Sequence, residues 1–94
     1  GDLYFVLVDN REDSPTYMKY QSMILDSKKR KQVLIPPSVG NGFVVLSHNS
    51  VFHYKWAYPG TYPDVDQQFT IKWDDPRCNI NWPISNPILQ LRDK

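Results

Sequence analysis

Eight prolines in 94 residues set the first limit on what this chain can fold into. Each one fixes φ near about −65° and removes a backbone donor, so prolines punctuate a chain into turns and short segments rather than long helices. Between them lie short runs rich in β-branched and aromatic residues, the side chains that fit a pleated, half-buried surface. Aromatics make up 14% of the chain, enough to build a β-type core from large flat side chains.

The runs can be placed one by one. Leu3 to Val8 is continuously apolar and stops at Asp9-Asn10, which predicts a buried strand. Asp13-Ser14-Pro15 predicts a turn. Tyr17 to Leu25 predicts a second strand, with Tyr20, Ser22 and Ile24 alternating against Gln21, Met23 and Leu25. A polar connector, Asp26 to Lys31, leads to a short strand over Gln32 to Ile35 that stops at Pro36-Pro37. Gly40-Asn41-Gly42 predicts a tight turn. Phe43 to Ser47 and Val51 to Trp56 predict a hairpin around His48-Asn49-Ser50. Tyr58 to Asp66 predicts a loop and Phe69 to Trp73 a further strand, with the remainder extended and irregular. Short strands recurring at about ten residues suggest a sandwich or barrel in a single all-β domain, residues 1–94.

Composition narrows the function classes. A net charge of +1 is too balanced for a dedicated nucleic-acid or acidic-membrane binder. Lys28-Lys29-Arg30-Lys31 reads as a solvated connector between strands rather than a nucleic-acid patch. No stretch approaches the roughly 18 apolar residues of a membrane span. Cys78 stands alone, so no intrachain disulfide forms, and one thiol points to a reducing, cytoplasmic setting. The chain opens on Gly1-Asp2 and runs straight into a strand, which leads to the expectation that a natural N-terminal part precedes it.

Few residues offer chemistry. Period 2 puts Phe52, Tyr54 and Trp56 on one strand face, with Val51, His53 and Lys55 on the other. A phenol with an ordinary pKa of about 10 is neutral at pH 7 and can donate a proton to a carbanion. The same tyrosine also suits a core position with a hydrogen-bonded hydroxyl. Asp93 can accept a histidine Nδ1–H and fix its tautomer, or stand as a solvated terminal charge. His48 and His53 have no second His, Cys or carboxylate at metal-ligand spacing, so a metal site is not expected. Asp74-Asp75-Pro76 reads as a turn, because adjacent side chains on an extended chain point apart. No Gly-rich phosphate loop and no Ser-His-Asp spacing is visible.

The order of short motifs carries the reading further. Gly1-Asp2 opens the first strand and Asp9-Asn10-Arg11 closes it, followed by Ser14-Pro15-Thr16. Ile35-Pro36, Gly40-Asn41-Gly42-Phe43, Val44-Val45-Leu46-Ser47, Tyr54-Lys55, Trp73-Asp74-Asp75, Ile80-Asn81-Trp82-Pro83 and Arg92-Asp93 follow in order. This ordered set resembles the C-terminal portion of the dTDP-4-dehydrorhamnose 3,5-epimerase family, nucleotide-sugar 3,5-epimerases, over nearly the whole chain. The resemblance implies a cupin-type jelly roll, incomplete in these residues, and a homodimer that needs no cofactor. It implies epimerisation of a nucleotide-linked 4-keto-6-deoxy sugar at C3, C5 or both, in deoxysugar and lipopolysaccharide synthesis. The C4 ketone acidifies those protons, a His base oriented by an Asp removes one, a cation holds the enolate, and a Tyr returns a proton on the opposite face. Tyr54 matches that Tyr and Asp93 the orienting Asp, while the base and its cationic neighbours match positions upstream of Gly1.

Asn41 stands where the family has a histidine before Gly-Phe, so it is expected to bind substrate without titrating near neutrality, and to favour a different nucleotide or sugar. Two alternatives use the same fold: a keto-isomerase or single-carbon epimerase, and a non-catalytic jelly-roll module that binds a sugar or protein partner. A jelly roll cut near its middle is expected to leave strand edges unpaired.

Overall fold

The computed structural model describes residues 1–29, 31–55 and 70–90. Three strands form one antiparallel sheet: β1 (Asp2–Asp9), β2 (Tyr20–Asp26) and β3 (Val39–Val45), in the order β2-β1-β3. No helix occurs among the described residues. β1 is central because it is the most continuously apolar segment, and a strand buried on both faces needs apolar side chains at every position.

Register divides the sheet into two faces, since residues directly opposite each other on neighbouring strands share a face. On one face, Leu3 lies between Leu25 and Val45, Phe5 between Met23 and Phe43, and Leu7 between Gln21 and Asn41. On the other, Tyr4 lies between Ile24 and Val44, Val6 between Ser22 and Gly42, and Val8 between Tyr20 and Gly40. The alternation expected for Tyr20 to Leu25 is therefore the one observed.

The second face holds the main core. Val6, Val8, Met18 and Cys78 are buried together, with Tyr4, Tyr17, Tyr20, Ile71, Ile80 and Trp82 packed around them. Residues 71–82 lie across this face, held by polar contacts as well as packing. The Tyr4 hydroxyl donates to the Asn81 carbonyl at 3.1 Å, and the Asn81 amide donates to the Tyr20 hydroxyl at 3.2 Å. Trp82 meets Tyr4 edge-on at 6.0 Å, and its indole N–H donates to the Trp73 carbonyl at 2.7 Å. Each ring thus contributes an apolar body to the core while its polar tip finds a partner.

Several sequence expectations are corrected. Gly40-Asn41-Gly42 is not a turn; all three lie inside β3, and neither glycine adopts a positive φ. A Cβ on Gly42 would stand 3.4 Å from the Trp82 ring, and one on Gly40 would stand 3.3 Å from the Ile71 side chain. Close approach of a crossing segment, not turn geometry, makes small residues useful here. The hairpin of 43–47 with 51–56 does not form over the described residues: β3 pairs with β1, and 51–55 lie outside the strands. Gln32 to Ile35 is not a strand, for its apolar Leu34 is 93% exposed and meets no core. Thr70 to Trp73 is not a strand either; Ile71 packs into the core and Trp73 begins a turn. Phe69, Trp56 and the expected loop from Tyr58 to Asp66 lie outside the described residues.

The second strand begins at Tyr20 rather than Tyr17, for a local reason. Asp9 receives the Met18 amide on its carbonyl at 2.7 Å and donates its own amide to the Lys19 carbonyl at 3.0 Å. Two residues thus oppose one, which is a bulge, and Met18 takes φ 64° to close it.

Candidate functional site

The sheet's first face is the one that presents candidate chemistry. Phe5 is 2% exposed at its centre, and Phe43 stands opposite it on β3. The chain leaves β3, is tied back by the Leu46 amide donating to the Asp2 carbonyl at 2.9 Å, and returns over this face. Further ties hold the return: the Asp2 amide donates to the Ser47 hydroxyl at 3.0 Å, and that hydroxyl donates to the Asn49 carbonyl at 2.8 Å. Phe52 then stacks on Phe43 with ring centres 4.6 Å apart and a 25° interplanar angle. It also meets Phe5 at 5.9 Å.

Tyr54 continues this row of rings, 5.9 Å from Phe52. The expectation that Phe52 and Tyr54 share a side holds, although the backbone carrying them is not a strand. Tyr54 is 60% exposed, so it is not a core tyrosine in the described structure. Asn41 lies on the same face by register, one step along β3 from Phe43, and is exposed. Tyr54 and Asn41 are therefore brought to one face by two different segments. Asp93 lies outside the described residues. His48 and His53 are both exposed.

A second polar constellation went unread in the sequence. The Asp9 carboxylate accepts from Arg11 Nε at 2.9 Å and Arg11 Nη2 at 3.0 Å, from the Arg11 amide at 3.0 Å, and from the Ser14 hydroxyl at 2.7 Å. The Thr16 hydroxyl also donates to it. These donors, Arg11 first, then Thr16 and Ser14, hold the Asp9 carboxyl far below the usual carboxylate range. Asp75 repeats the pattern. It accepts from the Arg77 amide at 2.9 Å and from Arg77 Nη2 at 2.9 Å, and its pKa is lowered chiefly by that guanidinium. The legible signal was Asp-x-Arg, occurring at both places. Asp74 and Asp75 diverge as expected: Asp74 pairs with Lys72 at 3.6 Å, while Asp75 caps the turn by accepting the Cys78 amide on its carbonyl at 3.1 Å. Both Asp-x-Arg clamps fasten turns, each tying a guanidinium to its carboxylate through Nε and Nη2.

Along β3 at the edge of the sheet, Trp73, Trp82, Ile84, Asn86, Pro87, Ile88 and Leu89 line an open cleft of about 460 Å³ with Phe43, Val44 and Val45. It offers no charged group. Burial raises the Cys78 thiol pKa, so this cysteine is a packing residue rather than a nucleophile. Among the described residues no three His, Cys, Asp or Glu side chains gather as metal ligands, and no helix is long and apolar enough to cross a membrane.

Comparison with known proteins places these features in a family. The family model for dTDP-4-dehydrorhamnose 3,5-epimerase matches residues 1–94. A dTDP-4-dehydrorhamnose 3,5-epimerase of Shigella flexneri is 36% identical over 93 residues, covering 99% of this chain and 50% of the relative. One of Pseudomonas aeruginosa is 33% identical over 99 residues, covering 100% of this chain and 51% of the relative. The crystal structure of a dTDP-6-deoxy-D-glucose-3,5-epimerase from Legionella pneumophila, solved with dTDP-4-keto-L-rhamnose, superposes with a TM-score of 0.75 at 26% identity. It covers 99% of this chain and 48% of that one. The chain thus spans about half the length of the curated relatives it matches. The three-stranded sheet is part of a cupin-type jelly roll.

Proposed function

The chain belongs to the dTDP-4-dehydrorhamnose 3,5-epimerase family, and from that premise we propose that its protein epimerises a nucleotide-linked 4-keto-6-deoxy sugar at C3, C5 or both. In this reading residues 1–94 are one domain, the C-terminal portion of the jelly roll. The observation that carries the proposal is Tyr54, seated by a stack of rings on the same face as Asn41, with its side chain exposed to a ligand.

The chemistry follows from that placement. A ketone at C4 lets the C3 or C5 proton leave as H⁺, with the electron pair delocalised onto the ketone oxygen as an enolate. Return of a proton to the same carbon from the opposite face inverts it. Tyr54 is the acid that delivers this proton, since a neutral phenol is the right protonation state at pH 7. The base acts from the other side of the carbon and comes from outside residues 1–94, as does the cation that holds the enolate. Asp93 orients that base through its imidazole N–H. Asn41 binds substrate through a carboxamide that donates and accepts but carries no charge.

The protein acts as a homodimer in this reading. Exposed apolar side chains on the outer strands, Ile24 on β2 and Val45 on β3, suit coverage by further chain.

Proton NMR in D2O tests the role of Tyr54. The intact natural protein should exchange and invert C3, C5 or both in a nucleotide 4-keto-6-deoxy sugar. Tyr54→Phe should lower inversion by about 10²- to 10⁴-fold, the ordinary worth of a positioned acid, while exchange at the abstracted position persists. Inversion at the parental rate by Tyr54→Phe would exclude Tyr54 as the acid. A product isomerised without inversion would move the protein to the keto-isomerase reading.

A further inference from the structure

We infer that Phe52 is a positioning residue for Tyr54, an inference that rests on the role proposed for that tyrosine. Tyr54 belongs to none of the three strands, so the sheet's ladder of backbone hydrogen bonds does not fix it. Its ring meets Phe52 at 5.9 Å and 38°. Phe52 in turn contacts two rings of the sheet itself, Phe43 at 4.6 Å and Phe5 at 5.9 Å. Those two are paired in register across β1 and β3, and Phe5 is buried at the centre of the sheet.

The gradient runs outward from a buried ring on a central strand, through Phe52, to an exposed phenol. Phe52 bridges the rigid part and the reactive part. A flat ring that touches two others leaves its neighbour little freedom to slide, because offset and tilted ring pairs prefer defined separations. A proton donor must sit within hydrogen-bond reach of the carbon it serves, and misplacement by about 1 Å costs on the order of a hundredfold in rate. Phe52 never touches substrate in this account. It acts on the reaction through the place it gives Tyr54.

The test uses the intact natural protein with Phe52→Ala, Phe52→Tyr, Tyr54→Phe and the Phe52→Ala/Tyr54→Phe double variant. Inversion and deuterium exchange are followed together on one nucleotide 4-keto-6-deoxy sugar. Phe52→Ala should lower kcat for inversion about 10- to 100-fold with KM within about threefold, and exchange should persist. Phe52→Tyr, which keeps the ring, should recover inversion to within about threefold. In the Tyr54→Phe background, Phe52→Ala should cost nothing more, since residues acting through one group are not additive. Should Phe52→Ala fail to fold, Phe52→Leu keeps apolar volume without the ring and is read in the same way. Additive effects in the double variant, or exchange and inversion falling by the same factor, would overturn the inference. So would inversion at the parental rate in Phe52→Ala beside an active parent. A folded parent protein that neither exchanges nor inverts would instead overturn the function proposed above.

Discussion

The two faces of the sheet differ in how they are closed. One carries residues 71–82, whose Ile71, Cys78, Ile80 and Trp82 pack on Val6 and Val8. On that side the Tyr4 and Tyr20 hydroxyls and the Trp82 indole N–H have backbone partners. The other face carries a row of rings that begins buried at Phe5 and ends exposed at Tyr54. A face whose polar tips are satisfied and whose apolar area is covered serves stability. A face whose outermost polar ring and carboxamide remain exposed is the one that can meet a ligand.

That contrast predicts different consequences for substitutions on the two sides. The largest effect should come from Tyr54→Phe, with inversion reduced by about 10²- to 10⁴-fold while the melting temperature stays within a few degrees of the parent. A parallel loss of folding would break the contrast. Next should be Trp82→Ala on the closed face. It removes a large half-buried ring and a hydrogen bond to Trp73, and should destabilise the protein by about 2–3 kcal/mol in urea titration, below the range for a fully buried Trp. Folded Trp82→Ala protein should still invert its substrate at a rate near the parent's, and a selective loss of catalysis would show that the faces are coupled. Gly42→Val should cost about 1–2 kcal/mol by urea titration, since even its first carbon stands 3.4 Å from the Trp82 ring.

The smallest effect should be a pH dependence. Asp9, Asp26 and Asp75 all have folded pKa values lowered by their partners, Arg11, the Lys29 amide and Arg77 respectively. A carboxylate lowered on folding contributes stability that is fully present above its unfolded value of about 3.9 and is lost as pH falls through the folded value. Stability should therefore be flat across neutrality and decline below about pH 4. Asp9→Asn should reduce the slope of that decline in thermal melts taken from pH 6 downward. An unchanged slope would show that Asp9 does not contribute to it. The Arg11 and Arg77 side chains are 52% and 63% exposed, so added salt should weaken their part of the effect.

Legibility in the sequence followed the range of the interaction. β1 and the alternation in β2 were readable because period-2 burial is local and the residues are strongly β-forming. The turns at Ser14 and at Asp75 were readable from their Pro and Asp residues. Gly40 and Gly42 misled because glycine serves both turns and close approaches, and only the position of Trp82 and Ile71 distinguishes the two. Gln32 to Ile35 misled because its composition suits a strand that finds no partner among the described residues. At the candidate site, Phe52 and Tyr54 were legible as a same-side pair, but the Phe43 and Phe5 rings beneath them were not.

By itself the sequence determined an all-β chain of short elements, a buried apolar strand, turns at Ser14 and Asp75, and an order of motifs that resembles one enzyme family. Propensity, proline geometry and side-chain spacing act over a few residues, so they are written locally. Tertiary structure alone decided that β1 lies between β2 and β3, that residues 71–82 cover one face, and that Tyr54 and Asn41 share the other. Those outcomes depend on contacts between residues far apart in the chain, such as Tyr4 with Asn81, whose energy exists only once the intervening loops have closed.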